Sequence, residues 1–255
     1  MSKVNQIAQS SFTANHEIYD RVRPSFDKDG VAFLIEEVMH LKPGAKVIEV
    51  GAGTGLFTET LKPYDLNILA VEPSEGMRES FKKRCPDVEI VDGDAYSSPV
   101  EDGIADAVLV AQAFHWFADS DAVKEFRRVL KKGGYLGLLW NNEDMEEASE
   151  VQRKCVELMW SYDSIVPQQR HNKWQKPLNE SSQYFQTPFQ EKKFKTSRSI
   201  NKETVWPMML SRSYITSLSD DEKQKLKQKV DEILVGAPEV IDVKSYSLVA
   251  WMQAI

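Results

Sequence analysis

Two spacings of apolar side chains alternate along residues 27–140. In GVAFLIEEVMHL, Phe33, Leu34, Val38 and Leu41 recur at helical spacing and stop at KPG, which predicts a helix. AKVIEV, NILAVE, VEIVDGD, ADAVLVAQAF and GYLGLLW are short apolar runs bounded by turn residues, the pattern of buried strands. Between them GLFTETL opens a helix, and SEGMRESFKKRC is a short one with Ser74 as its N-cap. DSDAVKEFRRVLKKGG is another, with Val123, Phe126, Val129 and Leu130 on one face and a glycine stop.

Strand–helix alternation implies right-handed crossovers and a parallel sheet covered on both faces. Ligands of such sheets bind beyond the carboxyl ends of the strands, where strand order reverses. EVGAGTG, VEPSEG, DGDAY and AQAFHWF are all turns at that end and are expected to converge on one crevice. From residue 141 the pattern changes. WQKPLNESSQYFQTPFQ, with its prolines, glutamines and serines, reads as a long surface connection. PFQEKKFKTSRSI reads as a strand of alternating faces, and SYSLVAWMQAI as a strand closing the sheet. In LSDDEKQKLKQKVDEIL, Ser219 and Glu222 make a capping box, and Leu226, Val230, Ile233 and Leu234 form the buried stripe of a helix.

Composition narrows the partners. With 42% hydrophobic residues, 28% charged residues and a net charge of −7, the chain is of ordinary globular makeup and is not built to attract a nucleic-acid backbone. The opening MSKVNQIAQSSFTANHEIYDR has no apolar signal core. The longest mostly apolar run, ADAVLVAQAFHWFA, is too short to cross a bilayer and contains Gln112 and His115. Cys85 and Cys155 stand far apart, and with His16, His40, His115 and His171 they show no metal-ligand spacing. A cytoplasmic protein with reduced thiols, no metal and no nucleic-acid or membrane partner is expected.

The stretch VIEVGAGTGLFTETL carries the sharpest signal. Gly51, Gly53 and Gly55 let the backbone approach a ligand at the mouth of a helix. The dinucleotide fingerprint G-x-G-x-x-G is not met, because the third glycine comes one residue early and Leu56 follows. A Walker-type loop is excluded, since no Gly-Lys-Ser/Thr is present. Glu72 ends the second strand about 20 residues on, where an acid can accept both ribose hydroxyls. Glu49 lies inside the first apolar run, where a carboxylate needs a positive partner or a raised pKa. That partner is either a local Lys or Arg or a cationic group of a ligand. A pyrophosphate would be repelled by Glu49, whereas S-adenosylmethionine offers ribose, no phosphate and an ammonium tail.

VIEVGAGTG, AVEPS, GDAY, ADAVLVAQAFHWF and FRRVLKKGGYLGLLWNN together resemble the successive motifs of class I S-adenosylmethionine-dependent methyltransferases. They are especially similar to the methyltransferase type 11-like small-molecule branch. SSFTANHEIYDRVRPSF resembles that branch's N-terminal arm and SRSYITSLSDDEKQKL its cap segment. The resemblance implies a Rossmann-like, doubly wound α/β fold: a mostly parallel seven-stranded sheet, helices on both faces and a small cap from the C-terminal half. It divides the chain into a cofactor-binding core with its arm (1–140), a cap (141–235) and a strand returning to the sheet (236–255). It further implies that Gly51, Ala52, Gly53 and Gly55 pack against the methionyl part of the cofactor, and that Glu72 takes the ribose diol. Pro73, Ser74, Asp94 and Ala95 would lie by the adenine, Gln112 and Ala113 on the methyl-transfer face, and Tyr19 and Arg23 on the tail.

The implied activity is transfer of a methyl group to a small-molecule acceptor by in-line displacement, leaving S-adenosylhomocysteine. A carboxylate or hydroxyl acceptor is favoured. His115 is the candidate general base, or else a local hydrogen-bonding group that shapes the turn. Phe114, Trp116 and Phe117 either wall an acceptor pocket or belong to the core. Arg198, Arg212 and Tyr214 either hold an acidic acceptor or are ordinary solvated or salt-bridged groups. Two rival readings stay open: a nicotinamide-dependent oxidoreductase, and a catalytically silent cofactor-binding partner protein.

Overall fold

A computed structural model describes residues 25–163 and 166–255. The apolar runs become strands β1 (Lys46–Val50), β2 (Asn67–Val71), β3 (Glu89–Val91), β4 (Ala105–Ala111), β5 (Leu130–Glu143), β6 (Gln190–Asn201) and β7 (Val240–Gln253). They form one seven-stranded sheet in the order β3-β2-β1-β4-β5-β7-β6. The pairings from β3 through β5 are parallel, while β7 runs antiparallel to both β5 and β6. The expected doubly wound, mostly parallel sheet is thus present. Strand order reverses between β1 and β4, so the turns after β1 and β4 open at the switch point.

Alternation along each strand divides the core. Ile48, Val108, Leu136 and Leu138 face one side with Phe126, while Val47, Leu109 and Leu139 face the other with Leu34, Phe57 and Leu61. Helices α1 (Lys28–Ala32), α2 (Leu56–Leu61), α3 (Glu75–Arg84) and α4 (Ser120–Val129) belong to this first half. They are followed by α5 (Glu150–Trp160), α6 (Gln175–Asn179), α7 (Val205–Leu210), α8 (Ser213–Thr216) and α9 (Asp220–Leu234). Ser74 caps α3 through Met77 N, and the Ser219–Glu222 capping box opens α9, both as expected.

Four sequence readings are corrected. The helix expected through Leu41 is α-helical only over Lys28–Ala32 and continues as a π-helix over Phe33–Val38. Val31, Leu34, Ile35 and Met39 face the core, while Phe33, Val38 and Leu41 are only partly covered. α4 ends at Val129, before the glycines: Leu130 is extended and pairs with Ala105, its carbonyl held by Arg127. The supposed surface connection contains Trp174, Leu178 and Phe185, all fully buried, with Trp174 stacked 4.6 Å from Trp140. These large groups are scattered among polar residues, so no short window of the chain looks apolar. Finally, β7 lies inside the sheet rather than closing it, and the edge is β6, from within the segment expected to form the cap.

Around β6 and β7 a third cluster forms a separate core. Cys155, Val156 and Met159 of α5 meet Val205 and Met209 of α7, Leu226 and Val230 of α9, and Ile241 of β7. This helical layer roofs the strand ends. No helix among the described residues is long and apolar enough to cross a membrane.

Candidate active site

The loop after β1 is fastened by its backbone. Gly51 N and Ala52 N donate to Val71 O at 2.8 and 3.3 Å, tying the loop to the end of β2. Gly51 has φ +70°, and a Cβ there would sit 2.8 Å from Ala113 Cβ, so the loop rests directly on the turn after β4. Gly53 N donates to Glu72 Oε2 at 3.0 Å, and Ser74 N donates to Glu72 Oε1 at 2.9 Å. Both carboxylate oxygens of Glu72 are therefore oriented by main-chain donors, and each keeps acceptor capacity. Burial pushes the Glu72 pKa up, while its two backbone hydrogen bonds pull it down. Gly55 departs from its expected place: it does not line the cavity, and a Cβ would meet Phe81 and Cys85 of the α3 region at 3.0 and 3.2 Å.

Glu49 shares a sheet face with Val47 and so points at α2, where Thr58 Oγ1 donates to its Oε2 at 2.7 Å. The residue is 1% exposed. Burial, the largest cause, and nearby Glu72 together raise its pKa from 4.5 to about 8 against the lowering effect of the Thr58 hydrogen bond. No Lys or Arg among the described residues forms a salt bridge with it. The local ion pair that would have explained Glu49 structurally is therefore absent among those residues.

At the end of β4, Gln112 adopts φ +57°, a conformation a non-glycine residue holds only when its surroundings impose it. Gln112 N donates to Leu139 O at 2.8 Å, and Gln112 Nε2 to Asn141 O at 3.1 Å. Asp94 Oδ1 accepts from Tyr96 N and Ser97 N at 2.8 and 3.0 Å, which shapes the turn after β3 and leaves Oδ2 unengaged by that turn. Phe114 is core, packed edge-on to Phe117 and tilted against Phe126. His115 does not line the cavity; its Nδ1 accepts from Trp140 Nε1 at 3.2 Å.

One cavity of about 250 Å³ opens at these strand ends. Its lining brings together Glu49, Gly51, Ala52, Gly53, Glu72, Pro73, Ser74, Asp94, Ala95, Gln112, Ala113, Trp116 and Phe117. Arg198 and Arg212 join from the second half. Tyr214 does not; it is buried in the third core. Tyr19 and Arg23 lie outside the described residues. Arg212 is ion-paired with Glu143 at the end of β5. Arg198 Nη2 lies 3.2 Å from Met208 Sδ, and burial together with Arg212 lowers its pKa.

The sequence reading missed Asn142 and Glu143, Cys155 and Met159, and Val205 and Met209, all of which line the cavity. The last two pairs sit at i, i+4 on α5 and α7, a stripe that sequence alone cannot distinguish from core. Burial pushes the Cys155 thiol up to about 11, away from nucleophilic use. The donor set suits the expected cofactor. A buried carboxylate awaits a cation, a second carboxylate is held with spare lone pairs, and the Gly53 position has nothing within 4 Å of an added Cβ.

Comparison with known proteins agrees. A family model described as a methyltransferase domain matches residues 48–138. An uncharacterized methyltransferase-like protein of Schizosaccharomyces pombe is 32% identical over 246 residues, covering 92% of this chain and 90% of its own. An uncharacterized methyltransferase of Mycobacterium tuberculosis is 37% identical over 134 residues, 52% of this chain and 53% of its own. Among solved structures, the YcgJ protein of Bacillus subtilis shares the fold at TM-score 0.56 and 18% identity, over 89% of this chain and 98% of its own. A protein from Anaeromyxobacter dehalogenans does so at TM-score 0.62 and 18% identity, over 91% and 97%. The chain belongs to the S-adenosylmethionine-dependent methyltransferases and is by that membership a transferase enzyme.

Proposed function

We propose that this enzyme transfers a methyl group from S-adenosylmethionine to an oxygen of a small molecule, a carboxylate or hydroxyl. The observation that carries the reading is Glu49, a buried carboxylate on the cavity wall with no cation beside it among the described residues. In this reading Glu49 meets the ammonium of the cofactor's tail, and the spare lone pairs of Glu72 take the ribose diol. Gly51, Ala52 and Gly53 lie along the methionyl part, Pro73 and Ser74 beside the adenine, and Asp94 and Ala95 at its edge. Gln112 and Ala113 face the methyl group.

When bound, S-adenosylmethionine supplies a methyl group already activated on a sulfonium. What remains for the protein is to align the acceptor oxygen and exclude water, a contribution worth several kcal/mol. In this reading residues 141–235 act as the cap that does so, over the cofactor-binding core, with β7 returning to it. Both cysteines are free and buried, which suits a reducing, cytoplasmic setting.

Calorimetry on the ligand-free protein tests the reading. S-adenosylhomocysteine should bind and NADH should not, because Glu49 and Glu72 stand where a pyrophosphate would pass. Binding of NADH alone would return the oxidoreductase. Binding of S-adenosylhomocysteine without its release during incubation of S-adenosylmethionine with acceptors would leave a silent binding protein.

A further inference from the structure

Two strands outrun the rest of the sheet. β5 ends at Glu143, opposite Ser245, but β6 and β7 go on pairing from Ser197–Lys244 to Asn201–Val240. Directly paired residues share a sheet face, and so does every second pair along the ladder. Three successive rows on one face therefore read Glu143–Ser245–Thr196, Val243–Arg198 and Ile241–Ile200. All of these residues except Thr196 line the cavity. The β6–β7 ribbon is thus the floor of a second lobe, past the strand ends. Val156 and Met159 of α5 close over it with Val205, Met208 and Met209 of α7.

Polarity falls along this floor. The row at the end of β5 holds the Arg212–Glu143 ion pair and the Thr196–Ser245 hydroxyl pair at 2.8 Å, while the far row is Ile200 and Ile241. Other polar side chains of the lobe are also engaged within the protein. Gln152 Nε2 donates to Lys244 O at 2.6 Å, and Gln152 Oε1 accepts from Lys244 N at 2.9 Å. Ser211 Oγ donates to Met208 O at 2.7 Å, and Arg198 Nη2 to Met208 Sδ at 3.2 Å. A polar body lying here would lose hydrogen bonds to water that these engaged groups do not replace. Apolar surface buried against isoleucine, valine and methionine is favourable instead.

Resting on the methyl-transfer reading above, we infer that the acceptor carries an apolar tail of several carbons that lies along the β6–β7 ribbon and ends against Ile200 and Ile241. The oxygen that takes the methyl group sits at the opposite, strand-end terminus of the molecule, where Gln112 and Ala113 line the cavity. From the Glu143 row to the Ile241 row the ribbon advances four residues, about 13 Å, which sets the scale of the tail. Met208 and Met209 adapt to its shape, since methionine is unbranched and flexible.

The test uses the full chain in two titrations. Saturation with S-adenosylhomocysteine is measured first, and a chain that fails to bind it overturns the methyl-transfer reading itself. Butanoate, hexanoate, octanoate, the alcohols of the same lengths and citrate are then titrated into the saturated protein by calorimetry. Within the acids, the alcohols or both, each added methylene should tighten binding about three- to fourfold, and citrate should bind no better than butanoate. Ile200→Gln puts a neutral polar group at the far end of the floor. It should weaken the eight-carbon ligand about tenfold while leaving butanoate and S-adenosylhomocysteine within about twofold. Affinity that does not rise with length, citrate as the tightest ligand, or an Ile200→Gln variant with an unchanged length dependence overturns the inference and leaves methyl transfer intact. If Ile200→Gln does not fold, Met208→Gln is judged by the same criterion.

Discussion

The cavity lining divides into a strand-end lobe, at the turns after β1 to β4, and a cap lobe under α5 and α7, and the two are built by different means. In the strand-end lobe the main chain makes most of the polar contacts: Gly53 N and Ser74 N fix Glu72, Tyr96 N and Ser97 N fix Asp94, and Gly51 N fixes the loop to β2. Every one of these groups lies within a few positions of a strand end. In the cap lobe, side chains from β5, α5, β6, α7 and β7 meet across long stretches of chain, held by apolar packing and the Arg212–Glu143 pair. The first lobe depends on backbone geometry and tolerates few changes. The second depends on side chains, which can be exchanged without disturbing the loop after β1.

The largest effect to seek lies in the second half of the chain. Trp174→Ala removes a fully buried ring stacked on Trp140 and should destabilise the protein by about 3–5 kcal/mol in denaturant unfolding. A loss within about 0.5 kcal/mol would mean that residues 174–189 form the exposed connection their composition suggests. In the strand-end lobe, Glu72→Ala strands the donors of Gly53 and Ser74. S-adenosylhomocysteine affinity should fall about 100-fold, roughly 2.7 kcal/mol.

Glu49→Gln sharpens the contrast because it should act with opposite signs on binding and stability. It should cost about tenfold in S-adenosylhomocysteine affinity. In the ligand-free fold Glu49 has its pKa raised from 4.5 to about 8, so between those values the folded chain holds a proton that the unfolded chain releases. Wild-type stability conferred by that proton is complete below pH 4.5 and is lost as pH rises through 8. The variant should therefore melt above the wild type at pH 9, and the gap should close as pH falls toward 4.5. By the same logic, S-adenosylhomocysteine binding at pH 7 should release a proton from Glu49, seen as a binding enthalpy that depends on the buffer. A buffer-independent enthalpy would detach Glu49 from the tail.

The smallest effect concerns the turn after β4. His115→Asn should lower turnover far less than the roughly 10²–10⁴-fold loss expected of a general base, since its Nδ1 serves Trp140. A drop of that size, with loss of an alkaline limb in the pH profile, would restore His115 as the base.

Much of the strand-end lobe could be read in advance. Glu49, Glu72 and the glycines sit at fixed offsets from apolar runs, and an offset from a strand end is a position in space once the sheet forms. Gly55 was legible as a turn residue but not as a packing one, because Phe81 and Cys85 approach it from another helix. The π-helical stretch Phe33–Val38 escaped because periodicity assumes α-helical turns. Phe114 and Tyr214 entered the candidate set as aromatics near functional segments, yet burial assigns both to cores.

The amino-acid order by itself determined the alternating elements, the doubly wound sheet and the acidic turn at its switch point, because each depends on local spacing and backbone chemistry. Only the tertiary structure decided that Trp174 and Phe185 plug a core, that β6 forms the sheet edge, and that Arg198, Arg212, Glu143 and the methionines of α7 share one chamber. Those facts depend on contacts between distant segments, and packing rather than local pattern selects which side chains meet.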